Sequence, residues 1–99
     1  MTPPDAFLPL TPVTLQILLS LTRGPLHGYG MKRDVEDRTD GRVRLGAGTL
    51  YAGLQRMEAD GLIEESEAPE ELEGEANPRW RFYAVTVLGR RVLEAELRR

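Results

Sequence analysis

The sequence predicts a mainly α fold with a small β-hairpin (α+β). Two observations carry this prediction. Three successive segments place apolar residues at helical spacing, and each ends at a glycine or a Gly-Pro pair. Two short β-prone runs follow, Leu62–Ser66 and Arg79–Val85, separated by a loop rich in Glu, Pro and Gly, before a last helical segment behind Thr86.

Residues 1–9 read as a Pro-rich arm, mobile at its start, with Phe7 and Leu8 able to pack. Thr11-Pro12 is a helix start, with Thr as N-cap and Pro at the first helical position. The first helix runs to about Thr22. Val13, Ile17 and Leu21 form one stripe, and Leu15, Leu18 and Leu19 widen it until the helix is apolar nearly all round. Such a helix belongs at the centre of a domain. Gly24-Pro25 ends it.

Leu26-His27-Gly28-Tyr29-Gly30 opens a second helix that continues to Asp40-Gly41. Met31 and Val35 pair at i, i+4, while Lys32, Arg33, Glu36 and Asp37 form a solvated face. Glycines in a first turn cost roughly 1 kcal/mol each relative to Ala, so their expected use is the close approach of another backbone. The third helix follows Leu45-Gly46. Leu50, Leu54 and Met57 share a narrow stripe; Tyr51, Ala52, Gln55, Arg56 and Ala59 lie opposite. That outer face is small and lightly charged, which suits a helix pressed into a DNA groove as well as an ordinary surface helix. Gly61 stops it.

Leu62–Ser66 and Arg79–Val85 then pair as a hairpin, and Thr86 caps the last helix. That helix carries two apolar stripes. Leu88, Val92 and Ala95 cluster within about 60°, whereas Leu93 and Leu97 sit well away. A monomer needs one buried stripe, so the second predicts a homodimer, with Leu88, Val92, Leu93 and Leu97 as the contact residues. The chain divides into an arm (1–9), a core domain (10–85) and a dimerisation helix (86–99). Three helices, a hairpin and a fourth helix, in that order, are the layout of a winged helix-turn-helix.

Composition narrows the function. Ninety-nine residues, 40% of them hydrophobic, make one small domain. The absence of cysteine excludes disulfides and Cys-based metal sites, and the single His27 excludes a His-rich one. No metal, cofactor or catalytic residue is expected. The N-terminus lacks a signal-peptide pattern, and no run approaches the roughly 18 apolar residues of a membrane helix. A soluble cytoplasmic protein is expected, with no membrane partner. The net charge of −3 hides an asymmetry. Glu64, Glu65, Glu67, Glu70, Glu71, Glu73 and Glu75 are seven acids within twelve residues, leaving nine acids against thirteen bases elsewhere. An acidic loop on a mildly basic body remains compatible with nucleic acid.

Four motifs also carry a resemblance. T-P-x-x-x-x-I-L from Thr11, G-P-L-H-G-Y from Gly24, L-x-x-G-T-L-Y-x-x-L-x-R-M-E-x-x-G-L-I from Leu45 and R-x-R-F-Y-x-V-T-x-x-G-R from Arg79 resemble the PadR family of bacterial transcriptional regulators. The match runs from about Leu10 to Leu97. It implies a homodimeric winged-helix repressor of a pseudo-palindromic operator, with a final dimerisation helix and, in some members, a small aromatic effector at or near the dimer interface. Two departures stand out. Ala47 and Ala52 replace prolines common in the family, and the last helix is short, about 21 Å from Thr86 to Arg99. The dimer contact is therefore small, or it borrows the first helix and the arm.

The candidate DNA-binding residues are Thr49, Tyr51, Gln55, Arg56, Tyr29, Arg79 and Arg81. Thr49 and Tyr51 lie at the N-terminal end of the third helix, where hydroxyls and free amides bond phosphate. Gln55 suits an adenine edge, and Arg56 a guanine, a phosphate or an ion pair with Asp60. Tyr51 otherwise packs on a neighbour, Tyr29 is a phosphate contact or core, and His27 reads as structural. Arg79 and Arg81 share one face of their strand and reach either DNA or the facing Glu64, Glu65 and Glu67. Trp80 and Phe82 read as wing and core packing. Arg90, Arg91, Arg98 and Arg99 reach DNA or solvent. Double-stranded DNA is the expected partner. The competing reading is a winged-helix protein-interaction module that uses the acidic loop. No Ser-His-Asp set, phosphate loop or supported carboxylate pair points to an enzyme.

Overall fold

The computed structural model describes residues 2–69 and 80–99. Its elements run α1 (Pro12–Ser20), β1 (Leu26–His27), α2 (Gly28–Arg38), α3 (Ala47–Ala59), β2 (Ile63–Ser66), β3 (Phe82–Val85) and α4 (Val87–Leu97). Tight 3-10 turns occupy Pro4–Phe7 and Leu21–Arg23. The mainly helical fold with a small antiparallel sheet is the one the sequence predicts. The sheet has one more strand than the hairpin. Leu26 and His27, expected to open α2, pair instead with Tyr83 and Phe82, giving the order β1-β3-β2. A two-residue strand is too short to show a period of its own.

Thr11 caps α1 through its hydroxyl, which accepts from the Thr14 amide at 3.2 Å. Ile17, Leu18 and Leu21 are fully buried, so α1 and its terminal turn are central to the core. Met31 and Val35 from α2, and Leu50, Leu54 and Met57 from α3, meet them there. Each such side chain contributes roughly 1.5–3 kcal/mol by leaving water. Arg38 locks α2 to α1. Its guanidinium donates to the Gln16 side chain (3.0 Å), the Gln16 carbonyl (3.2 Å), the Ser20 hydroxyl (2.9 Å) and Asp34 (2.7 Å). Burial pushes the Asp34 carboxyl up, but hydrogen bonding from Arg38 and Ser20, with the Arg38 charge, holds it below its usual value.

The exit from α3 is closed by a Schellman motif. Gly61, at φ +80°, donates to the Glu58 carbonyl (3.1 Å), and Leu62 donates to the Met57 carbonyl (2.9 Å). Thr86 then grips this turn. Its hydroxyl lies 2.6 Å from the Gly61 carbonyl oxygen and 3.1 Å from that of Leu62, its amide donates to the Leu62 carbonyl at 3.1 Å, and its Oγ1 accepts from the Gly89 amide at 3.0 Å. A Cβ on Gly89 would stand 2.1 Å from the Leu62 carbonyl oxygen, so only glycine lets α4 approach this closely.

The arm lies along α4. The Leu10 amide donates to Glu96 at 2.9 Å, and Arg99 donates to the same carboxylate at 2.8 Å. The Arg99 bond first, then the Leu10 amide, keeps the Glu96 carboxyl below its ordinary value. Phe7, Leu8 and Leu10 pack against the core. This corrects the two-stripe argument for α4. Val92 and Leu93 are both buried within the chain's own core, and Leu88 is half-buried beside them. Of the four residues expected at a dimer contact, only Leu97, 64% exposed, keeps most of its surface; Val87 joins it at 68%. The inference from the helical wheel failed because α4 packs on the sheet and α1 and is flanked by the arm.

Gly89→Ala is expected to lower the free energy of unfolding by at least about 2 kcal/mol, because backbone faces the new methyl and cannot give way. Thr86→Val should cost about 1–2 kcal/mol through the lost cap. Urea midpoints check both. A Gly89→Ala midpoint equal to that of the parent would contradict the packing described.

Candidate nucleic-acid interface

The α3 helix divides its residues cleanly. Leu50, Leu54 and Met57 face the core, while Thr49, Tyr51, Ala52, Gln55 and Arg56 are exposed. No side chain caps its N-terminus at Gly46. The first amides of α3 thus have no side-chain acceptor, and the helix dipole adds partial positive charge there. Arg56 forms no ion pair with Asp60.

A second group assembles beside this helix. Tyr29 projects from the first turn of α2 and is 60% exposed, while Tyr51 is 59% exposed. Arg33, one turn on from Tyr29, donates to its hydroxyl at 3.3 Å and lies 5.9 Å from its ring centre. The Tyr51 hydroxyl reaches back over Gly28, where an added Cβ would stand 3.1 Å from it. Gly30 is crowded by the His27 ring at 3.2 Å. The first-turn glycines of α2 therefore make room for side chains, which corrects the expectation that a backbone approaches them.

Arg81 completes the group from the wing. It lines a cavity of about 330 Å³ with His27, Gly28, Tyr29, Tyr51, Trp80 and Tyr83. Three of the expected DNA contacts, Tyr29, Tyr51 and Arg81, thus meet in one place, although they are far apart in sequence. Arg81 forms no ion pair with Glu64, Glu65 or Glu67. Arg79, and the loop acids from Glu70 to Glu75, lie outside the described residues.

His27 is the hub of the group. Its ring stacks on Trp80 at 4.3 Å between centres and 20° between planes, and tilts against Phe82 at 5.2 Å and Tyr29 at 6.2 Å. Both ring nitrogens are buried without a hydrogen-bond partner among the described residues. Burial holds its pKa below the ordinary 6.5. A neutral, stacked imidazole is a structural part, as the sequence reading has it. Sequence reasoning missed Trp80 as its stacking partner and Arg33 as the partner of Tyr29. The i, i+4 spacing of Tyr29 and Arg33 was the available signal. None existed for Trp80 and His27, which are 53 residues apart.

A histidine kept neutral by the fold takes up its proton more readily when unfolded. Its contribution to stability is complete above 6.5 and is lost as pH falls below that value through the lowered folded-state pKa. His27→Phe keeps a ring in the stack and removes the titration. Between about pH 7.5 and about pH 5.5, its urea midpoint is expected to fall less than that of the parent. Identical falls would contradict the burial assigned to His27.

A family model described as the transcriptional regulator PadR-like family matches residues 17–95. An uncharacterised 37.1 kDa protein of a Streptomyces fradiae transposon is 39% identical over 80 residues, which is 81% of this chain. The chain spans about a fifth of the length of that relative. Among solved structures, RosR of H. salinarum aligns with TM-score 0.73 and 26% identity over 93% of this chain and 74% of its own. Bacillus subtilis PadR, solved in complex with operator DNA, aligns with TM-score 0.74 and 19% identity over 92% of this chain and 49% of its own, a likeness of fold. The chain is a member of the PadR-like family of transcriptional regulators.

Proposed function

We propose that this transcriptional regulator is a repressor that binds a pseudo-palindromic operator as a homodimer, with α3 in the major groove. The observation that carries the reading is the exposed face of α3 beside its uncapped N-terminus, flanked by Tyr29 and Arg81. In this reading Thr49, Tyr51 and Tyr29 bond phosphates, Gln55 and Arg56 read base edges, and Arg79 and Arg81 reach the flanking backbone or minor groove. The operator complex of the Bacillus subtilis protein supports DNA as the ligand of this fold. Exposed Val87 and Leu97 on α4 support a second copy as the partner of that helix. Release by a small aromatic effector is part of the same proposal, carried by the family resemblance. Such a protein acts where the chromosome is, in the cytoplasm.

Operator affinity is expected to fall steeply with salt, because each neutralised phosphate releases counterions. The double substitution Thr49→Ala with Tyr51→Ala should abolish specific binding at moderate salt, measured by fluorescence anisotropy on labelled duplex. Tight binding retained by that variant would remove α3 from the interface. No binding by the parent at low salt would favour the protein-interaction module.

A further inference from the structure

We infer that Arg33 is a further operator contact: together with the Tyr29 hydroxyl it holds a single backbone phosphate, and it also positions that hydroxyl. The inference rests on the DNA reading above and adds to it a residue whose charge, by sequence, belongs to a solvated face. Tyr29 and Arg33 stand one turn apart on α2, and both are exposed. Helical side chains lean toward the N-terminus of their helix. Arg33 does so, donating to the Tyr29 hydroxyl at 3.3 Å with its guanidinium carbon 5.9 Å from the ring centre. Asp37, one turn in the other direction, forms no ion pair with it, and neither does any other described carboxylate.

The polarity of this bond sets what the pair can take. A phenol hydroxyl has one proton to give and lone pairs to receive with. Arg33 occupies a lone pair, so the proton is free to donate outward, and among the described residues the Tyr29 hydroxyl donates to nothing. Arg33 uses one guanidinium N–H on Tyr29 and keeps the others. The pair therefore presents donors only, side by side, with a positive charge. That set suits an anion with several acceptor oxygens, and a phosphate above all. Its place points to the operator backbone. In helix-turn-helix docking the helix before the recognition helix crosses the phosphate backbone. Tyr29 shares a cavity with Tyr51 of α3, so the pair adjoins the recognition face. Because the two side chains already hold one another, little freedom is lost when a phosphate arrives.

The test measures anisotropy of a labelled duplex from upstream of the protein's own gene, from low to moderate salt. Arg33→Gln should weaken binding about tenfold, the scale of one charge-assisted hydrogen bond. It should also flatten the dependence of log affinity on log salt by about 0.9 per protomer, the share of one phosphate. Arg33→Lys should keep that slope and part of the affinity, because the charge stays while the planar fork is lost. Tyr29→Phe should weaken binding too. The double variant should lose less than the product of the two single losses, because both groups act on one phosphate. A neutral methylphosphonate at the contacted linkage should weaken the parent and cost Arg33→Gln nothing further. The variants alter exposed side chains, and circular dichroism confirms their fold. Unchanged affinity and slope in Arg33→Gln, single losses that multiply in full, or no linkage whose neutralisation silences Arg33→Gln would each overturn the inference and leave the DNA reading standing. No binding by the parent at low salt would instead sink the DNA reading, and this contact with it.

Discussion

The carbonyl of Leu62 is the point on which the rest of the molecule turns. It accepts from the Thr86 amide, lies 3.1 Å from the Thr86 hydroxyl, and has room for α4 only because position 89 is glycine. One turn thereby joins the end of α3, the start of β2 and the start of α4. The Schellman closure at Gly61 sets where α3 stops, and the Thr86 contacts set how the returning strand meets it. The position of α3 relative to the wing is therefore a property of backbone packing, not of loop conformation. A surface that must match a duplex over several contacts needs that rigidity, because misplaced donors lose most of their worth.

The opposite end of the same assembly is held by rings. His27 pairs with the backbone of β3 and stacks on Trp80, so the start of α2 is attached to the wing twice. Tyr51 leans on Gly28 from the α3 side. Helices α2 and α3 and strand β3 thus share one aromatic junction, with Arg33 and Arg81 at its margins. The junction keeps a buried imidazole with no hydrogen-bond partner among the described residues. Leaving polar atoms unmatched costs stability, and the stack on Trp80 with the contacts to Phe82 and Tyr29 offsets part of it.

Helices, caps and the central place of α1 were legible in the sequence, because Thr11-Pro12, Gly61 and Thr86 state their roles locally. The buried face of α3 was legible for the same reason: Leu50, Leu54 and Met57 obey the helical period. What was not legible arises from contacts distant in sequence. Strand β1 is two residues long and exists only because β3 passes beside it. Leu93 read with Leu97 as a second apolar stripe beside that of Leu88, Val92 and Ala95, and a wheel cannot tell a partner chain from the chain's own core and arm. Arg81 read as opposed by glutamates or facing DNA; its place in the cavity with Tyr29 and Tyr51 was not foreseeable. The candidate residues were thus named one by one in advance, while the grouping of Tyr29, Tyr51 and Arg81 around His27 and Trp80 was not.

The central claim is that α3 and its flanking tyrosines form a DNA-reading surface presented twice by a dimer. Hydroxyl-radical footprinting on the DNA upstream of the protein's own gene tests it most directly. The account predicts two protected half-sites related by a dyad, their centres about 34 Å apart, one helical turn. No protection at low salt, or protection of a single half-site without a dyad-related mate, would contradict it.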